Sequence, residues 1–212
     1  GNYAYLADWE AGLKVLDVSF PDSPALVGVV LTDDAHLGIE VHGDHAYVAD
    51  GAGGLRIYDV SEPWSPDIAA IVDVGAGSRV TVSGEHAYLA AQALGVLIFD
   101  VSDPEAPVQV GSYDTPGAAS DVVVAGNLAY VADNDGGLQI LDVTDPADPA
   151  LAGALVLAGE TRGLMVDGDL AYLASGPNDL RIIDVTDPSA PALLTQVTHG
   201  GACYDMAMHG EH

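Results

Sequence analysis

Apolar residues along this chain fall in short runs of strand length, and the runs return on a fixed beat. Residues 119–160 show the unit. A β-branched run, Ala119 to Gly126, ends in glycine. Ala129 to Asp133 follows. Gly137 to Asp145 comes after the turn Asn134-Asp135-Gly136-Gly137, and Ala150 to Gly159 after Pro146 and Pro149. Each run is bounded by Gly, Pro, Asn or Asp, the residues that tolerate or impose turn geometry. None carries 3.6-residue spacing between helix caps. The pattern predicts a four-stranded antiparallel meander per repeat.

Two beats mark the repeat. Ala-Tyr falls at Ala4-Tyr5, Ala46-Tyr47, Ala87-Tyr88, Ala129-Tyr130 and Ala171-Tyr172, a period of about 42 residues. Asp-Val-Ser/Thr falls at Asp17, Asp59, Asp100, Asp142 and Asp184. Runs such as Val122-Val123-Val124 and Ile140-Leu141 do not alternate with polar residues. A sheet apolar on both faces must be covered on both faces. Repeated four-stranded sheets achieve this in a β-propeller, whose closure leaves only short protected edges. A β-helix would have one strand per coil, and a two-sheet sandwich would not keep the period. The expectation is an all-β, single-domain, five-bladed propeller over residues 1–212. Gly1-Asn2-Tyr3 matches the turn Gly126-Asn127-Leu128, and His209-Gly210-Glu211-His212 matches Ser83-Gly84-Glu85-His86. The expected closure therefore pairs strand Tyr3–Asp8 with strand Asp205–His209. The alternative is a slice of a longer array.

Leu138-Gln139-Ile140-Leu141-Asp142-Val143-Thr144-Asp145-Pro146 and its equivalents, such as Leu180 to Pro188, carry a family resemblance. The repeat resembles the LVIVD repeat of bacterial and archaeal surface proteins, and it covers nearly the whole chain. The resemblance implies a β-propeller, usually outside the cytoplasm, and brings no catalytic residues. The first repeat departs from the pattern with Phe20-Pro21, the second with Glu62-Pro63.

Charge changes the picture next. The 212 residues hold 32 acidic and five basic side chains, a formal net charge of −27. Nucleic acid is excluded as a partner, because phosphate binding needs clustered Lys and Arg. Anionic membrane surfaces are disfavoured for the same reason. Such a charge keeps a chain soluble but self-repelling, which suits high salt or bound cations. Cys203 is the single cysteine, so no internal disulfide forms. No apolar run reaches 18 residues, so no membrane-inserting span is expected.

Aligned first strands supply the candidate site residues. One column holds Asp205, Gly38, Arg79, Asp121 and Gly163; the step before it holds Tyr204, Leu37, Ser78, Ser120 and Arg162. Arg79, Asp121, Arg162, Tyr204 and Asp205 form a candidate ligand-binding face where the channel starts. At the other end the column reads His209, His42, Ser83, Ala125 and Asp167. His42, Asp167 and His209 are candidate ligands for a divalent cation, since two imidazoles and a carboxylate suit Zn²⁺ or a similar metal. Ordinary polar turns are the competing reading. Asp133-Asn134-Asp135-Gly136 resembles the opening of a calcium loop but lacks the later bidentate Glu, so turn chemistry is preferred. The five Asp of the Asp-Val beat recur in every repeat and are assigned to their own turns. Cys203 beside His36 or His199 would make a nucleophile, against a small packed residue.

The expected function is a non-catalytic extracytoplasmic module, at the cell surface or in the periplasm. It would present loop faces to a protein or glycan partner as a monomer. The alternative is a metal- or ligand-binding propeller with hydrolase or lyase activity at a channel mouth. No cofactor beyond that possible divalent cation is expected.

Overall fold

The computed structural model describes residues 2–9, 12–32, 35–176, 179–198, 203, 206 and 207. The chain divides into two compact units, Gly1–Leu89 with Ile98–Val110, and Ala90–Leu97 with Gly111–His212. Each is described separately.

The first unit opens on a three-stranded sheet of β1 (Tyr3–Asp8), β2 (Gly12–Asp17) and β3 (Ala25–Val30), in that order. A four-stranded meander follows, β4 (Gly38–His42), β5 (His45–Ala49), β6 (Leu55–Asp59) and β7 (Asp67–Val72). The third sheet comprises β8 (Arg79–Ser83), β9 (His86–Ala90), β10 (Val96–Asp100) and β11 (Val108–Tyr113). The division between units falls within its last strands. In the first unit β4 and β5 pack on β8, and β1 packs on β4. Leu13, Ala46, Val48, Tyr58 and Val60 form the core there.

The second unit holds two further meanders. One is β12 (Asp121–Ala125), β13 (Leu128–Ala132), β14 (Leu138–Asp142) and β15 (Ala150–Leu155). The other is β16 (Thr161–Asp167), β17 (Leu170–Ser175), β18 (Asp179–Asp184) and β19 (Ala192–Thr198). Strands β12 and β13 pack on β16, around Tyr130, Leu138, Ile140, Leu164 and Leu173. Burying one such aliphatic or aromatic side chain contributes about 1.5–3 kcal/mol. That explains why these runs do not alternate: both faces of a strand such as β14 are covered.

The column alignment survives in the register. Gly38 pairs Ala49, Asp121 pairs Ala132 and Gly163 pairs Ala174. Two features escaped the sequence pattern. The third and fourth strands shift register at Val15/Leu16, Ile57/Tyr58, Ile140/Leu141 and Ile182/Ile183. A bulge at the same place in four sheets bends the outermost strand. Beside it in the first and fourth sheets stands a glycine, Gly28 or Gly153, and Gly111 of the third sheet meets the next repeat in the same way. A Cβ on Gly28 would lie 2.2 Å from the Pro63 carbonyl oxygen. The equivalent distances are 2.0 Å for Gly111 to Pro146 and 2.1 Å for Gly153 to Pro188. The Asp/Glu-Pro turn of one repeat thus seats on a bare backbone of the one before.

Candidate functional site

The five Asp of the Asp-Val beat do what their recurrence predicts. Asp17, Asp59, Asp100, Asp142 and Asp184 each accept the backbone N–H two residues on, at 2.8–2.9 Å. Hydrogen bonds from the Ser or Thr at that position hold all five carboxyls below their ordinary value. They are turn residues.

Each described channel-start residue has its own local surroundings. Arg79 begins β8, and its Cδ lies 2.9 Å from where a Gly38 Cβ would stand, so glycine opens the path for that side chain. Asp121 is buried and works between sheets: Oδ2 accepts Leu164 N–H at 2.8 Å, and Oδ1 accepts Val122 N–H at 2.8 Å. Ser120 beside it donates to the Thr161 carbonyl of the same neighbouring sheet at 2.7 Å. Arg162 occupies the register shift between Thr161 and Gly163, is exposed, and pairs with Glu160 at 2.6 Å. Tyr204 and Asp205 lie outside the described residues. His42 is exposed at the end of β4 in the first unit, and Asp167 is exposed at the end of β16 in the second. His209 lies outside the described residues, as do His199 and, of the expected closing strand, Asp205 and Met208; its described residues, Met206 and Ala207, are in no strand. Among the described residues no group of three or more His, Cys, Asp or Glu is placed to hold a metal.

The calcium-like run is turn structure. Asn134–Gly136 forms a 3₁₀ turn, with Asn134 at φ 44° and Gly137 at φ 77°. Asp133 is buried beneath it. Its carboxylate accepts the Thr115 hydroxyl at 2.6 Å and Gly117 N–H at 2.8 Å. Burial pushes the Asp133 carboxyl up, against the pull of those two bonds.

One cluster was missed in the sequence. In the first unit His36, Asp50, Arg56 and Tyr58 form a buried polar network. His36 is 2% exposed and Asp50 0%. His36 Nδ1 lies 2.7 Å from Asp50 Oδ1, and Nε2 lies 2.6 Å from the Tyr58 hydroxyl. The Arg56 guanidinium pairs with the other carboxylate oxygen. The register explains the meeting: Val48 stands opposite Arg56, so Asp50, two residues on and just past the end of β5, shares its face. The Nδ1–Oδ1 approach is a charge contact, whereas Nε2 and the Tyr58 hydroxyl share a hydrogen bond whose direction depends on the tautomer. Tyr58 is fully buried, so the cluster ends in the core and not at a substrate. It ties the segment before β4 to β5 and β6.

The signal for this cluster is a pair of columns six residues apart. They read Asp8/Lys14, Asp50/Arg56, Ala91/Leu97, Asp133/Gln139 and Ser175/Arg181. Asp8 with Lys14 and Asp50 with Arg56 are ion pairs. Where the acid is replaced by Ala91, the base is replaced by Leu97.

Sheets of antiparallel meanders repeated five times define a repeat-built all-β protein whose buried polar groups knit repeats together. The LVIVD repeat model matches residues 1–32, 37–74, 74–115, 116–155 and 158–199, and the chain belongs to this β-propeller family. A structure described as a functionally unknown protein from Desulfotomaculum acetoxidans superposes with a TM-score of 0.77 at 13% identity. The match covers 94% of this chain and 70% of that one. The computationally designed Ika8 protein superposes at 0.67 with 10% identity, over 99% of this chain and 76% of that one. At these identities the likeness concerns the fold. No curated protein matches the chain.

Proposed function

We propose that this chain is a non-catalytic propeller module outside the cytoplasm, closed at five blades, that presents turns to a protein or glycan partner. The observation that carries the reading is a pair of exposed aromatics in the turn between third and fourth strands of the first two repeats. Phe20 is 77% exposed and Trp64 63% exposed. The other repeats carry Asp103-Pro104-Glu105, Asp145-Pro146-Ala147 and Asp187-Pro188-Ser189 there. Exposing a large aromatic costs solvation and is concentrated at contact surfaces, where its rigid amphipathic ring contributes most. The spending of Asp121, Asp133 and Asp50 on internal hydrogen bonds supports the same reading. A net charge of −27 favours a partner with basic or neutral polar surface.

The test is binding to a panel of polysaccharides and basic proteins with the parent and a Phe20→Ser/Trp64→Ser variant. Binding lost in the variant at an unchanged melting midpoint supports the module. Equal binding by both overturns the aromatic surface. Turnover of an ester or glycoside substrate by the parent would move the assignment to the catalytic alternative.

A further inference from the structure

We infer that Ser175 and Arg181 in the last sheet form a buried site for a small monovalent anion of carboxylate size. The fifth repeat keeps the basic member of the six-residue pair but replaces the acid by serine. Leu173 stands opposite Arg181 in the register, so Ser175, two residues along β17, shares the face of the guanidinium. This is the arrangement that brings Asp50 to Arg56 in the second repeat.

The donors at this place have no acceptor. Ser175 is 0% exposed, and the Arg181 side chain is 7% exposed. Arg181 Nε and Nη1 and Ser175 Oγ have no hydrogen-bond partner among the described residues. Nη2 alone is used, donating to the Ala158 carbonyl. The nearest carboxylate is Asp179, 4.0 Å from Nη2 and beyond hydrogen-bond reach. Both its oxygens are engaged already, by the Thr198 hydroxyl at 2.9 Å and the Gln196 amide at 2.8 Å. Nor can the Thr161 hydroxyl, opposite Ser175, serve as a spare donor, since it points to the Asn134 and Gly137 carbonyls at 3.2 Å each.

A buried guanidinium with two N–H groups unsatisfied and its carboxylate partner Asp179 as far as 4.0 Å away is costly, and the cost falls when those groups and a hydroxyl close on one anion. Arginine's fork suits a planar carboxylate. Both side chains are buried, so the ligand is taken to be of formate or chloride size. The first and second repeats supply that carboxylate from their own Asp8 and Asp50. The fifth takes it from solution.

Thermal melts decide the matter, run at constant sodium with formate or chloride replacing the larger anion gluconate. The parent midpoint should rise with the logarithm of formate concentration above the dissociation constant, by roughly 5 to 10 °C at about one hundred times that constant. Ser175→Asp supplies the carboxylate internally and should melt above the parent in gluconate, without response to formate. Ser175→Ala/Arg181→Leu, which copies Ala91/Leu97, should also lose the response, so the result does not hang on one variant folding. A parent indifferent to the exchange of gluconate for formate or chloride overturns the site. A formate response retained in both variants overturns it as well.

Discussion

Replacing Gly153 by alanine tests whether repeats are held at backbone contact. Gly153 is buried on β15, and its φ is not in the left-handed region, so the backbone itself accepts alanine. The obstacle is space. The new Cβ would lie 2.1 Å from the Pro188 carbonyl oxygen, 3.0 Å from Ser189 Cα and 3.1 Å from the Pro188 carbonyl carbon. All three are backbone atoms, so no rotamer change relieves the clash. Normal contact is roughly 3.5 Å, so the Asp187-Pro188 turn must retreat by about 1.4 Å from the 2.1 Å approach. Overpacking of this kind costs about 1–3 kcal/mol. Alanine also restricts the unfolded chain, which returns about 0.4–1 kcal/mol. The expected net is a loss of about 1–2 kcal/mol. For a chain of this size that lowers the melting midpoint by roughly 2–8 °C. Calorimetry and urea titration of Gly153→Ala should agree on that loss. Gly111→Ala, facing Pro146 at 2.0 Å, should lose a similar amount, and the two losses should add. A midpoint unchanged or raised in both variants would refute the seating of each turn on the preceding repeat.

Further expectations follow from charge and burial. Asp50→Ala strips Arg56 and His36 of their carboxylate and should cost about 3–5 kcal/mol, as breaking a buried pair does. Adding Arg56→Leu, to copy Ala91/Leu97, should recover part of it; urea midpoints showing no recovery would refute the pairing. The Asp-Val carboxyls are held below their ordinary 3.8, so their contribution is complete above that value and is lost as pH falls through the folded values. Asp133, pushed up by burial, acts in the opposite sense and is relieved as pH falls. Asp→Asn at Asp17, Asp59, Asp100, Asp142 and Asp184 should therefore flatten the fall in midpoint below about pH 4; an unchanged slope would remove these turns from the acid response. Finally, a net charge of −27 predicts a midpoint that rises with NaCl as repulsion is screened, and a flat or falling curve would refute it.

The strands, their meander and the fate of the Asp-Val beat were legible in the chain because they depend on neighbours in sequence. Apolar runs between Gly, Pro and Asp set strand lengths, and an Asp two residues before a Ser or Thr closes its own turn whatever surrounds it. The site residues were not legible in the same way. Column alignment placed Asp121 correctly at the start of its strand, yet its carboxylate is consumed by Leu164 of the neighbouring sheet, 43 residues away. Arg162 left its column because a register shift, invisible in composition, turned it outward. His36 met Asp50 and Tyr58 only once three separate segments were brought together. Ser175 reads as an ordinary strand-end polar residue until the register puts it on the face of Arg181. Periodicity encodes which backbone pairs with which, since one repeat's hydrogen bonds are local. Which buried polar group finds a partner depends on contacts between repeats, and only the tertiary structure decides those.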